Sequence, residues 1–294
     1  MERIGFVGAG LMGHGMAHNL VTKGFPLTVM AHRRREAVDD LVGKGATEAA
    51  SLADLAAASD VVVLCLTAAP QVEAVVRELM PALAPRSMVI DCSTSDPVLT
   101  ERLGAELHPL EVSLVDAPLG RTPKDAWEGT LDCMVGAVDT DWPRAETVLR
   151  AFASRVTRIG GPGAGHRMKL INNLLSLSYG ALYSEALALS RKVGIDVATF
   201  DSVIRGGRMD CAFYRTFMGY ALEGDRDAHR FTLANAYKDL RYAESMANAA
   251  GVATPVLSAA KNHLAGAVTL GGDGPEDYLP HLADFVARAN GVEP

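Results

Sequence analysis

The sequence of 294 residues predicts an α/β protein with two parts. The first is a doubly wound, mostly parallel sheet, and the second is an all-α domain joined to it by a long helix. Three observations carry that expectation. Short apolar runs alternate with helical periods through the first half. Strand-like runs stop at Gly160-Gly161-Pro162-Gly163. Beyond that point an uninterrupted helical spacing covers residues 165–193, longer than most globular helices. The length is enough for two cores, and 49% hydrophobic with 21% charged residues is an ordinary globular composition.

Taken in order, residues 3–8 read as a strand, and 11–23 as a helix ended by Gly24. Residues 27–30 form a second short strand, followed by a basic run and a helix over 35–44. The run 61–66 is continuously apolar, as a strand buried on both faces requires. Helical period returns over 72–83, a strand over 88–92, and further alternation through 113–116, 131–135 and 141–153. This is the pattern of a doubly wound parallel sheet. After the glycine-rich break come helices over 165–193, 199–205, 212–222, 232–250 and 256–266. The expected domains are therefore residues 1–162 and 163–294.

Charge and composition exclude some classes of function. A net charge of −7 and a pI of about 5.6 argue against nucleic acid and anionic membrane as partners, while leaving room for a small anionic substrate. No leader-like pattern opens the chain, and its longest apolar runs are too short to span a bilayer. Cys65, Cys92, Cys133 and Cys211 form no C-x-x-C pair and have no histidine at ligand spacing. No metal is expected, and a reduced cytoplasm is the natural compartment.

Two motifs suggest chemistry. Gly8-Ala9-Gly10-Leu11-Met12-Gly13 follows a strand and opens a helix. Gly8 allows the tight turn, Gly10 lets the backbone approach a pyrophosphate, and Gly13 packs helix on sheet. Gly8, Gly10, Leu11, Met12 and Gly13 are thus the expected dinucleotide cradle of a Rossmann domain, with the helix N-terminus turned to the phosphates. The end of the second strand reads Met30-Ala31-His32-Arg33-Arg34-Arg35 and lacks the acid that usually takes a ribose 2′-hydroxyl. Arginine there pairs with a 2′-phosphate, so NADP is favoured over NAD, with Arg33 first and Arg34 second.

The second motif is Gly163-Ala164-Gly165-His166-Arg167-Met168-Lys169-Leu170-Ile171-Asn172-Asn173. Lys169 and Asn173 are i and i+4 on one helix face, and Asn172 borders them. Apolar neighbours desolvate a lysine and lower its pKa toward the range of an acid/base catalyst. Reducing an aldehyde by hydride makes an alkoxide that Lys169 can protonate while Asn173 holds the hydroxyl. A snorkelling lysine and an asparagine satisfied at a domain interface fit the same spacing. Gly120-Arg121-Thr122 at another strand end suits an anion through a backbone N–H, a guanidinium fork and a hydroxyl, although an exposed loop arginine looks the same in sequence. Ser93 and Thr94 end a further strand and face nicotinamide or substrate. Lys238 reaches cofactor or substrate, or pairs with Asp239.

Together these residues resemble the β-hydroxyacid dehydrogenase family. Four motifs appear in family order: GAGLMGHGMAHN over 8–19, DAPLGRTPKDAWEG over 116–129, GAGHRMKLINN over 163–173 and KDLRYA over 238–243. The resemblance implies an NAD(P)-dependent reductase or dehydrogenase interconverting a small anionic semialdehyde and its hydroxy acid, assembled as a homodimer or homotetramer. It implies that Lys169 is the catalytic lysine, that Asn173 with Asn172 binds substrate, and that Leu66 and Thr67 touch the cofactor. Ser93 and Thr94 then lie near the nicotinamide and Lys238 near the reacting groups. Most members carry Ser-Gly-Gly after Asp-x-Pro-Val; here Gly120-Arg121-Thr122 replaces it, as in the sulfolactaldehyde-reducing branch, where the arginine helps bind a sulfonate. The same guanidinium suits a distant carboxylate, as in succinic or tartronate semialdehyde, and glyoxylate remains open. That branch resembles the NAD-using members, whereas this chain has arginines where an acid would sit, so the cofactor and substrate analogies diverge. Imine reductases share the layout but usually lack the lysine, and non-catalytic dinucleotide-binding modules of the superfamily lose it.

Overall fold

The computed structural model describes residues 1–32 and 35–294. Among them, unit 1 covers Met1–Lys169 and unit 2 covers Leu170–Pro294. Unit 1 contains, in chain order, β1 (Ile4–Val7), α1 (Gly13–Thr22), β2 (Leu27–Val29), α2 (Glu36–Gly43), β3 (Thr47–Glu48), α3 (Leu52–Ala57), β4 (Val61–Leu64), α4 (Ala69–Leu79), β5 (Met88–Asp91), α5 (Pro97–Leu107), β6 (Ser113–Asp116), β7 (Leu119–Gly120), α6 (Pro123–Glu128), β8 (Leu131–Gly136), α7 (Trp142–Leu149) and β9 (Ala153–Gly160). The strands form one sheet in the order β3-β2-β1-β4-β5-β6-β8-β7, with β9 beside β8. Strands β1 to β6 run parallel; β3 at the edge is exposed, while the apolar side chains of the others build the core around Phe6, Val63, Ile90 and Val115.

The expected parallel sheet holds with two refinements. β8 pairs antiparallel with β6 and β7; the connection from β7 through α6 is shorter than the crossover that a parallel pair needs. β9 is a strand to which the sequence reading, whose last run in this half ends at residue 153, gives no element. Its two faces are largely exposed, so no apolar alternation announces it.

The long helix α8 (Ala164–Lys192) begins in unit 1 and continues into unit 2. The expected boundary at 162/163 lies just before it. Unit 2 adds α9 (Val197–Ile204), α10 (Ala212–Glu223), α11 (Leu233–Ala249), α12 (Pro255–Thr269) and α13 (Leu282–Ala289). Leu177, Ala181 and Ala188 of α8 pack with Leu233, Leu240 and Leu264 of α11 and α12. No helix among the described residues is long and apolar enough to cross a membrane. All four cysteines are free thiols, and burial pushes the Cys65 thiol up to about 12.

Candidate active site

The glycine turn after β1 has the form that a dinucleotide needs. Gly8 sits at φ +103°, and a Cβ there would lie 2.2 Å from the Cys65 carbonyl oxygen. A Cβ on Gly13 would lie 2.0 Å from the Gly8 carbonyl oxygen, so only glycine lets α1 start this close to the turn. Above Gly10 there is open space, where a pyrophosphate can approach the backbone. The first turn of α1 carries no side-chain cap and no acidic residue, which leaves its N–H groups to an anion. Leu11 is exposed and Met12 is the N-cap.

At the end of β2 no acid is present. Arg33 and Arg34, the expected 2′-phosphate ligands, lie outside the described residues. The third arginine is already engaged: Arg35 donates to Glu48 at 3.0 and 3.1 Å and to Asp39 at 3.1 Å.

The loops after β4, β5 and β6 converge at the carboxyl ends of the strands, where doubly wound sheets bind ligands. The Leu66 N–H donates to Ser93 Oγ at 2.9 Å, and the Ser93 N–H donates to Asp91 Oδ1 at 2.9 Å. Ser93 is buried, so its hydroxyl holds the Leu66 loop in place. Thr67 is exposed and Thr94 half-buried on the same loops. From β6, the buried Asp116 accepts from the N–H groups of Gly163 and His166, each at 2.7 Å. A strand residue thereby caps the first turn of α8. Burial pushes the Asp116 carboxyl above its usual range, against the opposing pull of His166 and the two N–H donors.

The expected anion loop proves more crowded than its sequence implies. Thr122 is the N-cap of α6 in a capping box with Asp125, donating its hydroxyl to that carboxylate at 2.5 Å. Arg121 has φ +76° and is exposed. Its guanidinium faces Asp132 at 3.2 Å and Asp125 at 3.6 Å. The Asp132 oxygen has no directed hydrogen-bond donor, so the contact is electrostatic. Two carboxylates stand beside the guanidinium that the sequence offers either as an anion ligand or as an exposed loop arginine, and nothing in the spacing of Asp132 foretells this. Gly120 lies in β7, beside Asp132. The loop is tied to the cradle helix through Asn19, whose Nδ2 donates to the carbonyls of Gly15, Ala126 and Trp127 at 2.9, 2.9 and 3.0 Å. A Cβ on Gly15 would lie 2.7 Å from the backbone of Ala126 and Trp127.

On α8, Lys169 is half-buried, and Asn173 lies one turn further along, 4% exposed. Within unit 2, Asn173 Nδ2 donates to Asp239 Oδ2 at 2.6 Å, and Lys238 Nζ stands 3.2 Å from Asp239 Oδ1 and 5.8 Å from the Tyr242 ring centroid. The buried Asp239 thus joins two expected site residues and sets which way the Asn173 amide points. Asn172 is exposed, its Nδ2 3.5 Å from Asn173 Oδ1. Sequence reading singled out neither Asp116 nor His166 as functional, although both stand inside quoted motifs.

The chain matches the NAD binding domain of 6-phosphogluconate dehydrogenase over residues 3–161, and the NAD-binding domain of NADP-dependent 3-hydroxyisobutyrate dehydrogenase over residues 163–279. It is 34% identical over 282 residues to 3-sulfolactaldehyde reductase of Escherichia coli K12, covering 95% of this chain and 94% of that one. It is 32% identical over 273 residues to 3-hydroxyisobutyrate dehydrogenase of Pseudomonas aeruginosa, covering 89% and 91%. Among solved structures, 3-hydroxyisobutyrate dehydrogenase of Mycobacterium tuberculosis with L-serine superposes with a TM-score of 0.85 at 26% identity, covering 96% of this chain and 98% of that one. The glycine cradle, the helix-borne lysine and asparagine and these matches over both units place the chain in the β-hydroxyacid dehydrogenase family of NAD(P)-dependent oxidoreductases acting on hydroxyl and aldehyde groups.

Proposed function

We propose that this enzyme reduces a small anionic aldehyde to its hydroxy acid, with Lys169 as proton donor. The observation that carries the reading is the single α8 face bearing Lys169 and, one turn on, an Asn173 amide oriented by buried Asp239. The Gly8-to-Gly13 cradle would hold a reduced nicotinamide cofactor, which would supply hydride for the new C–H bond. The carbonyl π pair moves to oxygen, and Lys169 Nζ gives that oxygen a proton. Asn173 holds the same oxygen, while Ser93, Leu66, Thr67 and Thr94 shape the cofactor side, Ser93 chiefly by holding its neighbour. Lys238, paired to Asp239, adds positive charge near the reacting groups.

NADP is the favoured cofactor, because no acid closes β2 and Arg33 and Arg34 follow it. The favoured substrate is 3-sulfolactaldehyde, supported by Gly120-Arg121-Thr122 and by the 34% identity to the reductase of that aldehyde. A second reading is a carboxylated semialdehyde, since the Arg121 guanidinium suits a carboxylate as it does a sulfonate, and Asp125 and Asp132 offset its charge toward either anion alike. A second copy of this chain is the natural partner. Ile171, Leu175, Leu182 and Leu189 are 45–65% exposed along one stripe of α8, opposite its buried face. The free thiols fit a reducing cytoplasm.

Initial rates with NADPH and NADH on 3-sulfolactaldehyde, succinic semialdehyde, tartronate semialdehyde and glyoxylate test the reading, together with Lys169→Ala. Turnover of one aldehyde, reduced about 10²–10⁴-fold in the variant with cofactor affinity kept, is expected. Normal turnover by Lys169→Ala removes the lysine from the mechanism, and a carboxylated substrate demotes Arg121 to a carboxylate ligand.

A further inference from the structure

His166 is wholly buried in unit 1 and has no part in the chemistry above. Its ring Nε2 faces the Ser93 carbonyl oxygen at 3.0 Å, and Nδ1 faces the Thr100 hydroxyl at 2.8 Å. A carbonyl only accepts, so Nε2 carries a hydrogen and donates it. The backbone N–H of His166 goes to Asp116. Asp91 and Asp116 stand 3.7 and 3.9 Å from the ring nitrogens. A buried polar cluster of this kind is costly unless its members are held, and these are: Asp116 by two N–H donors, Asp91 by Ser93.

The cluster binds four separate pieces of chain. Through Ser93 it fixes the loop after β5, and through the Ser93 hydroxyl the loop after β4 at Leu66. Through Asp116 it fixes the end of β6, and through Thr100 the helix α5. Three of them meet the first turn of α8 directly and the Leu66 loop joins through Ser93, and Lys169 follows His166 by three residues, on the next turn. A slip or rotation of that turn moves the lysine, and a misplacement of about 1 Å can cost about 10² in rate.

We propose that His166 is a positioning residue for proton transfer: its bonds to Ser93 and Thr100, with the Asp116 cap, set the register of α8 and so the place of Lys169. This rests on the proton-donor role of Lys169. The test uses the full-length enzyme and whichever of the four aldehydes turns over. His166→Ala should lower kcat about 10–100-fold while the NADPH dissociation constant, read by fluorescence titration, shifts much less. His166→Gln should recover part of the loss, because its amide also donates to the Ser93 carbonyl. In the Lys169→Ala background His166→Ala should lower kcat no further, since both act through one step. Independently of activity, the wild-type enzyme should show a ring N–H resonance protected from exchange, and Leu66 and Ser93 amides that exchange faster in the variant.

Wild-type kcat in His166→Ala, or the same fold loss with and without Lys169, overturns the proposal. If His166→Ala does not fold, Thr100→Val takes its place, and unchanged kcat in Thr100→Val is equally fatal. Failure of the lysine reading is separate and shows as normal turnover by Lys169→Ala alone.

Discussion

Replacing Asn19 by alanine should detach α6 from α1, and with it the loop that carries Arg121. Asn19 is 7% exposed, and its amide serves the carbonyls of Ala126 and Trp127, residues more than a hundred positions away. Alanine leaves both oxygens without that donor. A buried acceptor left unpaired costs about 1–3 kcal/mol, and the Trp127 carbonyl lies nearer water, so the sum is roughly 2–4 kcal/mol. In a unit of this size that lowers the melting temperature by about 5–15 °C. The assay is thermal unfolding joined to tryptophan emission in a Trp142→Phe background. Trp127 then reports alone, from its place against His14 and His18 at centroid distances of 4.8 and 4.7 Å. Asn19→Asp sharpens the test. It has nearly the same volume, yet it turns a carboxylate toward carbonyl oxygens, so it should destabilise more than alanine does. A melting temperature within a degree or two of wild type, with Trp127 emission unchanged, would refute the reasoning, as would an aspartate that behaves like asparagine.

Two further outcomes concern the cradle and the α8 cap. Gly10→Ala should leave stability nearly unchanged and weaken NADPH binding, because its Cβ enters only the open space above the turn, whereas Gly13→Ala should destabilise unit 1 through collision with the Gly8 carbonyl; equal melting temperatures in the two variants would count against the cradle geometry. Asp116 has its folded pKa above its unfolded value, so the folded state binds more protons between the two. The contribution of this group to stability is then fully present below the ordinary carboxylate range and is lost as pH rises through the folded value. Asp116→Asn should abolish that component, and urea unfolding of both proteins across this window checks it: a wild-type minus variant difference that does not fall with pH contradicts the assignment.

Legibility in the sequence followed the strength of local signals. The run 61–66 was readable because a strand buried on both faces is apolar throughout, 88–92 because it is apolar but for Asp91, and α8 because its apolar spacing persists for 29 residues. β9 was not, since Arg155 and Arg158 lie on a strand with little buried surface. The short helices α3 and α6 carry too few turns for a period to register. Within the site, the glycine cradle and the lysine–asparagine pair were legible because each is a contiguous motif. The partners that complete them were not. Asp239 meets Asn173 across 66 residues, and His166 meets Ser93 across 73, so only the fold brings them together. Gly15 and Asn19 stood inside a recognised motif, but their task of seating α6 against α1 shows only in three dimensions.

Arg121 presents the sharpest conflict between local preference and place in the fold. The family's usual Ser-Gly-Gly puts glycine at this position, and the backbone here has φ +76°, where a residue with a Cβ is strained by about 1–2 kcal/mol. The ion pairs with Asp132 and Asp125 return little of that, because exposed pairs contribute about 0–1 kcal/mol. Stability alone therefore does not account for an arginine at this point. Arg121→Gly relieves the strain and loses the pairs, so its stability should stay within about 1 kcal/mol of wild type. Arg121→Ala keeps most of the strain, loses the same pairs and should melt lower than the glycine variant. Both should raise the KM for an anionic aldehyde by a similar factor, since the guanidinium is the group they lose in common. Two variants ordered by stability yet matched in KM would separate the backbone strain from the side chain's work. An unchanged KM in both would leave the arginine as an unexplained strain in the turn and take the sulfonate reading with it.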